Sequence, residues 1–128
     1  MKRIVIADDT KTARMFIQKC LQIAGMQDAE FVEAVNGREA LEMVKEAPTD
    51  LLFTDHNMPV MDGMTLLKCI KASPKLHDLP VIVITSASNK AKDIEFKKFG
   101  AYQVLSKPIT PATLYPIIQS ILKEENDL

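Results

Sequence analysis

Three short runs constrain the fold more than any other feature: Ile4–Ala7, Leu51–Thr54 and Val81–Ile84. Each is a stretch of apolar or β-branched side chains without polar alternation, and each stops on an oxygen-bearing residue: Asp8-Asp9, Asp55 and Thr85. A strand with one wet face alternates, whereas a strand buried on both faces does not. These runs therefore predict a parallel sheet covered by helices on both sides. Two weaker strands, Glu30–Ala34 and Val104–Leu105, complete the set. Charged neighbours around Phe31 put the first of these at an edge.

Helical spacing fills the gaps between strands. Ala13, Phe16, Ile17, Cys20, Leu21 and Ala24 recur at i, i+3, i+4, i+7, with Asp9 or Thr10 as the cap and Gly25 as the stop. Asn36-Gly37 reads as a loop into a second helix carrying Ala40, Leu41 and Val44. A third helix follows Gly63, turns Leu66, Leu67 and Ile70 inward, and fades at Ser73-Pro74. Ile94 and Phe99 give the fourth only a partial stripe, closed by Gly100. Leu114, Ile117, Ile118, Ile121 and Leu122 form the fifth, before a solvated tail over 123–128. Five strands alternating with five helices predict an α/β doubly wound parallel sheet with right-handed crossovers. With 128 residues and no repeat or linker, the expectation is one domain over 1–128.

Charge and composition exclude several functions. A net charge of −1 gives no electrostatic reason to expect nucleic acid or an anionic membrane as partner. No apolar run approaches the roughly 20 residues of a membrane span. The N-terminal apolar run ends in two aspartates, so it reads as a strand and not a signal peptide, and a cytoplasmic chain is expected. Cys20 and Cys69 lack metal-ligand spacing and read as reduced, buried thiols.

In an open parallel sheet the strand ends line up on one edge, where ligands bind. Asp8, Asp9, Asp55, Thr85 and Lys107 all stand at such ends. Crowded carboxylates repel one another unless a cation joins them. Oxygen ligands without His or Cys favour Mg²⁺, for which Asp8, Asp9, Asp55 and the carbonyl of Asn57 make a partial shell. Thr85 and Lys107 then supply a hydroxyl and a positive charge for phosphoryl oxygens. An aspartate, ionised near neutral pH, needs no general base to act as nucleophile. Asp55 is thus expected to accept a phosphoryl group and release it to water.

Asp8-Asp9, the stretch Asp55-His-Asn-Met-Pro-Val-Met-Asp-Gly63, Thr85-Ser86 and Lys107-Pro108 together resemble the bacterial two-component response-regulator receiver domains, of the stand-alone CheY-like type. The resemblance covers essentially the whole chain. It implies a flavodoxin-like (βα)5 fold with strand order 2-1-3-4-5, and a cis peptide at Lys107-Pro108. It implies Asp55 as phosphoacceptor, with Asp9, Asp55 and the Asn57 carbonyl on Mg²⁺ and Asp8 assisting. It implies Thr85 and Lys107 on the phosphoryl group. It also implies a histidine kinase as donor and a separate downstream protein such as a flagellar motor switch protein, read through the face formed by helix four, strand five and helix five. On this reading the chain is a monomer without DNA-binding output. It is not an enzyme beyond Mg²⁺-dependent self-phosphorylation and slow autodephosphorylation.

Two departures stand out. Val104 occupies the position, three before the lysine, where the family usually has an aromatic residue, and Tyr102 is the nearest alternative. Pro116 predicts a kink or a late start in the last helix. Other residues read more plainly: Asp62 as a helix cap, His77 as exposed, Lys90, Lys92, Lys97 and Lys98 as a wet face. His56 reads as directed away from Asp55. Two other functions stay open: a phosphate sink or phosphorelay intermediate, and an aspartate-based small-molecule phosphatase. The phosphatase generally needs an acid where this chain has Asn57. A flavodoxin-like cofactor site is disfavoured because no Gly-rich phosphate loop follows the first strand.

Overall fold

A computed structural model describes residues 1–86 and 90–126. The elements run β1 (Arg3–Ala7), α1 (Lys11–Ile23), β2 (Glu30–Ala34), α2 (Gly37–Glu46), β3 (Leu51–Asp55), α3 (Gly63–Ala72), β4 (Val81–Thr85), α4 (Lys90–Lys98), β5 (Gln103–Ser106) and α5 (Pro111–Asn126). The strands form one parallel sheet in the order β2-β1-β3-β4-β5. The last two residues of the expected tail, 127–128, lie outside the described residues.

The unalternating strands bury both faces, as their composition requires. Ile4, Ile6, Leu51, Phe53, Ile82 and Ile84 face α1 and α5, where Ile17, Leu21, Leu114, Ile118 and Ile121 meet them. Their neighbours Val5, Leu52, Val81 and Val83 face the opposite layer, formed by Val44 of α2, Leu66, Leu67 and Ile70 of α3, and Phe96 of α4. Each such fully buried side chain contributes roughly 1.5–3 kcal/mol of transfer free energy. Strands β3 and β4 extend one residue beyond the apolar runs, so Asp55 and Thr85 are the last members of the ladder itself. That fixes their backbones by hydrogen bonds.

Four local expectations are corrected. Phe16 shares the helical spacing of α1 but is 51% exposed; the stripe position next to Ile17 and Leu21 goes instead to Arg14, which is buried. Thr10 takes the cap position of α1 without a side-chain cap bond, because its hydroxyl donates to Asp8 Oδ1 at 3.1 Å. In α4, Ile94 is 67% exposed and Phe96 is fully buried, so the inward side is one that i, i+3 counting from Ile94 does not select. Finally, α5 has no late start. It runs from Pro111 to Asn126 with Pro116 inside, and Thr110 Oγ1 accepts the Thr113 N–H at 3.1 Å. Pro116 and Ala112 are both exposed, so water can serve the carbonyl whose partner the proline removes.

Candidate functional site

The parallel register brings the ends of β1, β3, β4 and β5 to one edge. Ala7 pairs with Thr54, Asp55 with Ile84, and Thr85 with Ser106, so the residues at or just beyond these positions are neighbours. Carboxylate oxygens of Asp8, Asp9 and Asp55 all lie within 4.8 Å of one another. Lys107 Nζ stands 3.4 Å from Asp55 Oδ1 and 3.9 Å from Asp8 Oδ2. The Lys107 backbone N–H donates to the Thr85 carbonyl at 2.8 Å, and the Lys107-Pro108 peptide is cis. Asp8 and Asp55 are buried, whereas Asp9 and Asn57 are exposed. The Thr85 side chain is buried, and among the described residues its hydroxyl makes a long 3.5 Å contact with the Leu105 carbonyl.

Electrostatics in this pocket are unbalanced. Burial raises the Asp55 carboxyl above its ordinary pKa, Lys107 counteracts this, and Asp8 raises it again. Asp8 Oδ1 accepts the Thr10 N–H and hydroxyl, but Asp8 Oδ2 is buried and has no hydrogen-bond donor among the described residues. A buried carboxylate oxygen without a donor is costly. An all-oxygen donor set with such an orphan atom fits a hard divalent cation such as Mg²⁺.

The loop after Asp55 is clamped from two sides. The Gly63 N–H donates to the His56 carbonyl at 3.0 Å, and a Cβ at position 63 would lie 2.4 Å from the Asp55 carbonyl oxygen. The Gly37 N–H donates to the Met61 carbonyl at 3.0 Å, and a Cβ there would lie 2.6 Å from that oxygen. Between the clamps Val60 adopts φ 68°, a left-handed conformation unusual for a β-branched residue. Asp62 caps α3, accepting the Thr65 N–H at 2.9 Å.

All five residues expected at the strand ends meet at this edge. Asn57 follows in the exposed loop. Arg14 was not anticipated: its guanidinium donates to the Asp8 carbonyl at 2.7 Å and to Glu33 Oε1 at 2.8 Å, which braces the acidic turn. Its signal was a charge standing at i−3 and i−7 from Ile17 and Leu21, on the buried stripe. The Gly37 clamp had no local signal, because its contact is distant in sequence. His56 points away from the carboxylates, as expected, and its ring meets Phe96 of α4. Tyr102 cannot replace an aromatic residue at 104: it packs in the layer of α1 and α5, while Val104 packs in the opposite one.

Residues 4–119 match the response regulator receiver domain family. Among its relatives are chemotaxis protein CheY-3 of Vibrio cholerae, 36% identical over 94% of this chain and 92% of that protein, and the chemotaxis protein CheY homolog of Campylobacter jejuni, 34% identical over the same shares. The solved structure of Vibrio cholerae chemotaxis protein CheY4 is 32% identical and covers 94% of this chain and 98% of that one, with a TM-score of 0.82. A strand-edge pocket of carboxylates, hydroxyl and lysine, on a sheet of order 2-1-3-4-5, agrees with these likenesses: the chain belongs to the response regulator receiver domain family.

Proposed function

We propose that residues 1–128 form a response regulator receiver domain that accepts a phosphoryl group from a histidine kinase on Asp55. The observation that carries this reading is the Lys107 ammonium, 3.4 Å from a buried aspartate that shares its pocket with two further carboxylates. Asp8, Asp9, Asp55 and the Asn57 carbonyl would hold Mg²⁺, which would supply positive charge to offset the crowded carboxylates and the phosphoryl oxygens. An Asp55 oxygen attacks phosphorus in line; the O–P bond forms as the P–N bond of the phosphohistidine breaks, and the histidine nitrogen leaves. Lys107 pairs with a phosphoryl oxygen, and the Thr85 hydroxyl leaves its weak bond to Leu105 to donate to another. Water later attacks the phosphorus, the Asp55 O–P bond breaks, and inorganic phosphate leaves Asp55 as its free carboxylate. The relatives' names support a role in chemotaxis; on this reading a monomeric, cytoplasmic regulator binds a downstream protein such as a flagellar motor switch protein.

Incubation with Mg²⁺ and a small acyl-phosphate donor, followed by intact mass, tests the chemistry. The expected result is a gain of one phosphoryl group in the wild type and none in Asp55→Asn. No gain in the wild type, or an equal gain in the variant, overturns the assignment. A second reading, a phosphate sink or relay intermediate, draws on Val104 and on Tyr102 facing the other layer, which leave the usual aromatic position empty. Capture of a motor switch protein only in the presence of a phosphoryl mimic excludes the sink.

A further inference from the structure

His56 is held at its base between the two strands that carry the site. Its backbone N–H donates to the carbonyl of Ile84, the residue before Thr85, at 3.0 Å; its own carbonyl accepts the Gly63 N–H at 3.0 Å. It is also the residue bonded to Asp55. A displacement of either strand end therefore moves the base of this side chain. The imidazole extends to α4 and meets Phe96 edge to face, with centroids 5.1 Å apart and planes at 85°. Phe96 is fully buried and is the one buried residue of α4 among the described residues. Lys92 Nζ lies 6.0 Å from the same ring centroid.

Edge-to-face pairs have a defined preferred geometry, so tilting one ring disfavours the old placement of the other. The imidazole Nδ1 is buried without a hydrogen-bond partner among the described residues, so no bond to them at that atom fixes its rotation. Its packing against Phe96 is then a leading constraint, and that constraint leads straight to the helix. Coupling between sites needs a contiguous physical contact and an element able to move. Here both are on one line: Asp55 and Thr85, the His56 backbone, the His56 ring, Phe96, α4.

We infer that His56 is a positioning residue that transmits the state of the Asp55–Thr85 pocket to α4 through the Phe96 ring, in place of the aromatic residue that position 104 lacks. This rests on Asp55 being the phosphoacceptor, so the test separates the two claims. The full chain is treated with Mg²⁺ and beryllofluoride as phosphoryl mimic, and hydrogen exchange is followed in peptides covering α4; uptake from the acyl-phosphate donor is measured in parallel by intact mass. In the wild type, exchange in α4 should change with the mimic. In His56→Ala the mass gain should remain and the α4 change should be lost, whereas His56→Phe, which keeps a ring but not Nδ1, should restore it. Phe96→Leu approaches the same contact from the helix side, and should also lose the α4 response while keeping the mass gain. An α4 response of wild-type size in folded His56→Ala or Phe96→Leu overturns the inference. So does a phosphorylated wild type whose α4 never responds. Absence of any mass gain in the wild type instead overturns the phosphoacceptor reading itself.

Discussion

Helices α3 and α4 each follow a strand that delivers a site residue, yet they are attached to the body very differently. Helix α3 begins at a side-chain cap, Asp62, and buries Gly63, Met64, Leu66, Leu67 and Ile70. Helix α4 buries Phe96 alone among the described residues, and its other large apolar side chain, Ile94, faces solvent. The first helix anchors the loop that shapes the Asp55 pocket. The second can shift while breaking few contacts, which is what a responsive element requires. On the proposed function, chemistry and movement would thus fall to different helices by the amount of apolar surface each one buries.

The sharpest way to break this contrast is to remove the single anchor. Phe96→Ala is expected to destabilise by about 3–5 kcal/mol and to bring α4 amide exchange close to that of an unrestrained segment. Leu66→Ala should destabilise by about 2–5 kcal/mol, but α3 should keep exchanging only with global unfolding, because its remaining buried residues hold it. Hydrogen exchange at matched stability decides; equal protection of α4 and α3 in these variants would end the distinction. Next in size is Gly63→Ala, whose Cβ would press on the Asp55 carbonyl oxygen at 2.4 Å. A loss of about 1–3 kcal/mol is expected, together with slower phosphoryl uptake on the proposed function, since the Asp55 backbone must move. Unchanged uptake would show that the start of α3 does not set the pocket.

A gain in stability is expected from Asp55→Asn, roughly 1–3 kcal/mol in chelator, read from denaturant midpoints at neutral pH. The sign follows from burial, which raises the folded carboxyl above its unfolded value. The native state then holds its proton longer than the unfolded chain, so stability falls as pH rises from about 3.9 through the folded pKa. The asparagine variant should lose that decline, and a midpoint equal to or below wild type contradicts it. Asp9→Asn should have no such effect, because Asp9 is exposed and water already screens it. The smallest effect belongs to the cap: Asp62→Ala should destabilise by about 1 kcal/mol. The Thr65 N–H lowers the Asp62 pKa, so this contribution is present above the unfolded value and is lost as pH falls through the folded one. An acid titration in which the difference between wild type and Asp62→Ala does not shrink as pH falls from about 5 into the acid range would refute it.

Legibility in the sequence followed range. Strands buried on both faces advertise themselves residue by residue, and the oxygen-bearing residues ending them are adjacent in the chain, so Asp8, Asp9, Asp55 and Thr85 could be named before any coordinates. Arg14 was readable in principle as a charge on an apolar stripe, but only its distant partners, the Asp8 carbonyl and Glu33, make sense of it. Phe16 and Ile94 misled because helical spacing says which residues share a face without saying whether that face meets a neighbour. The late start expected of α5 failed for a related reason: the proline rule concerns an unsatisfied carbonyl, and the exposure of Ala112 supplies water instead.

The sequence by itself determined the parallel layered sheet and the chemical inventory at its rim, because both rest on local patterns of side-chain polarity. The tertiary structure alone decided which helix would be firmly held and which loosely, that Gly37 would brace a loop beginning near Asp55, and that the ring of His56 would reach α4. These depend on surfaces brought together from separate parts of the chain, and buried area between such surfaces has no signature in either stretch taken alone.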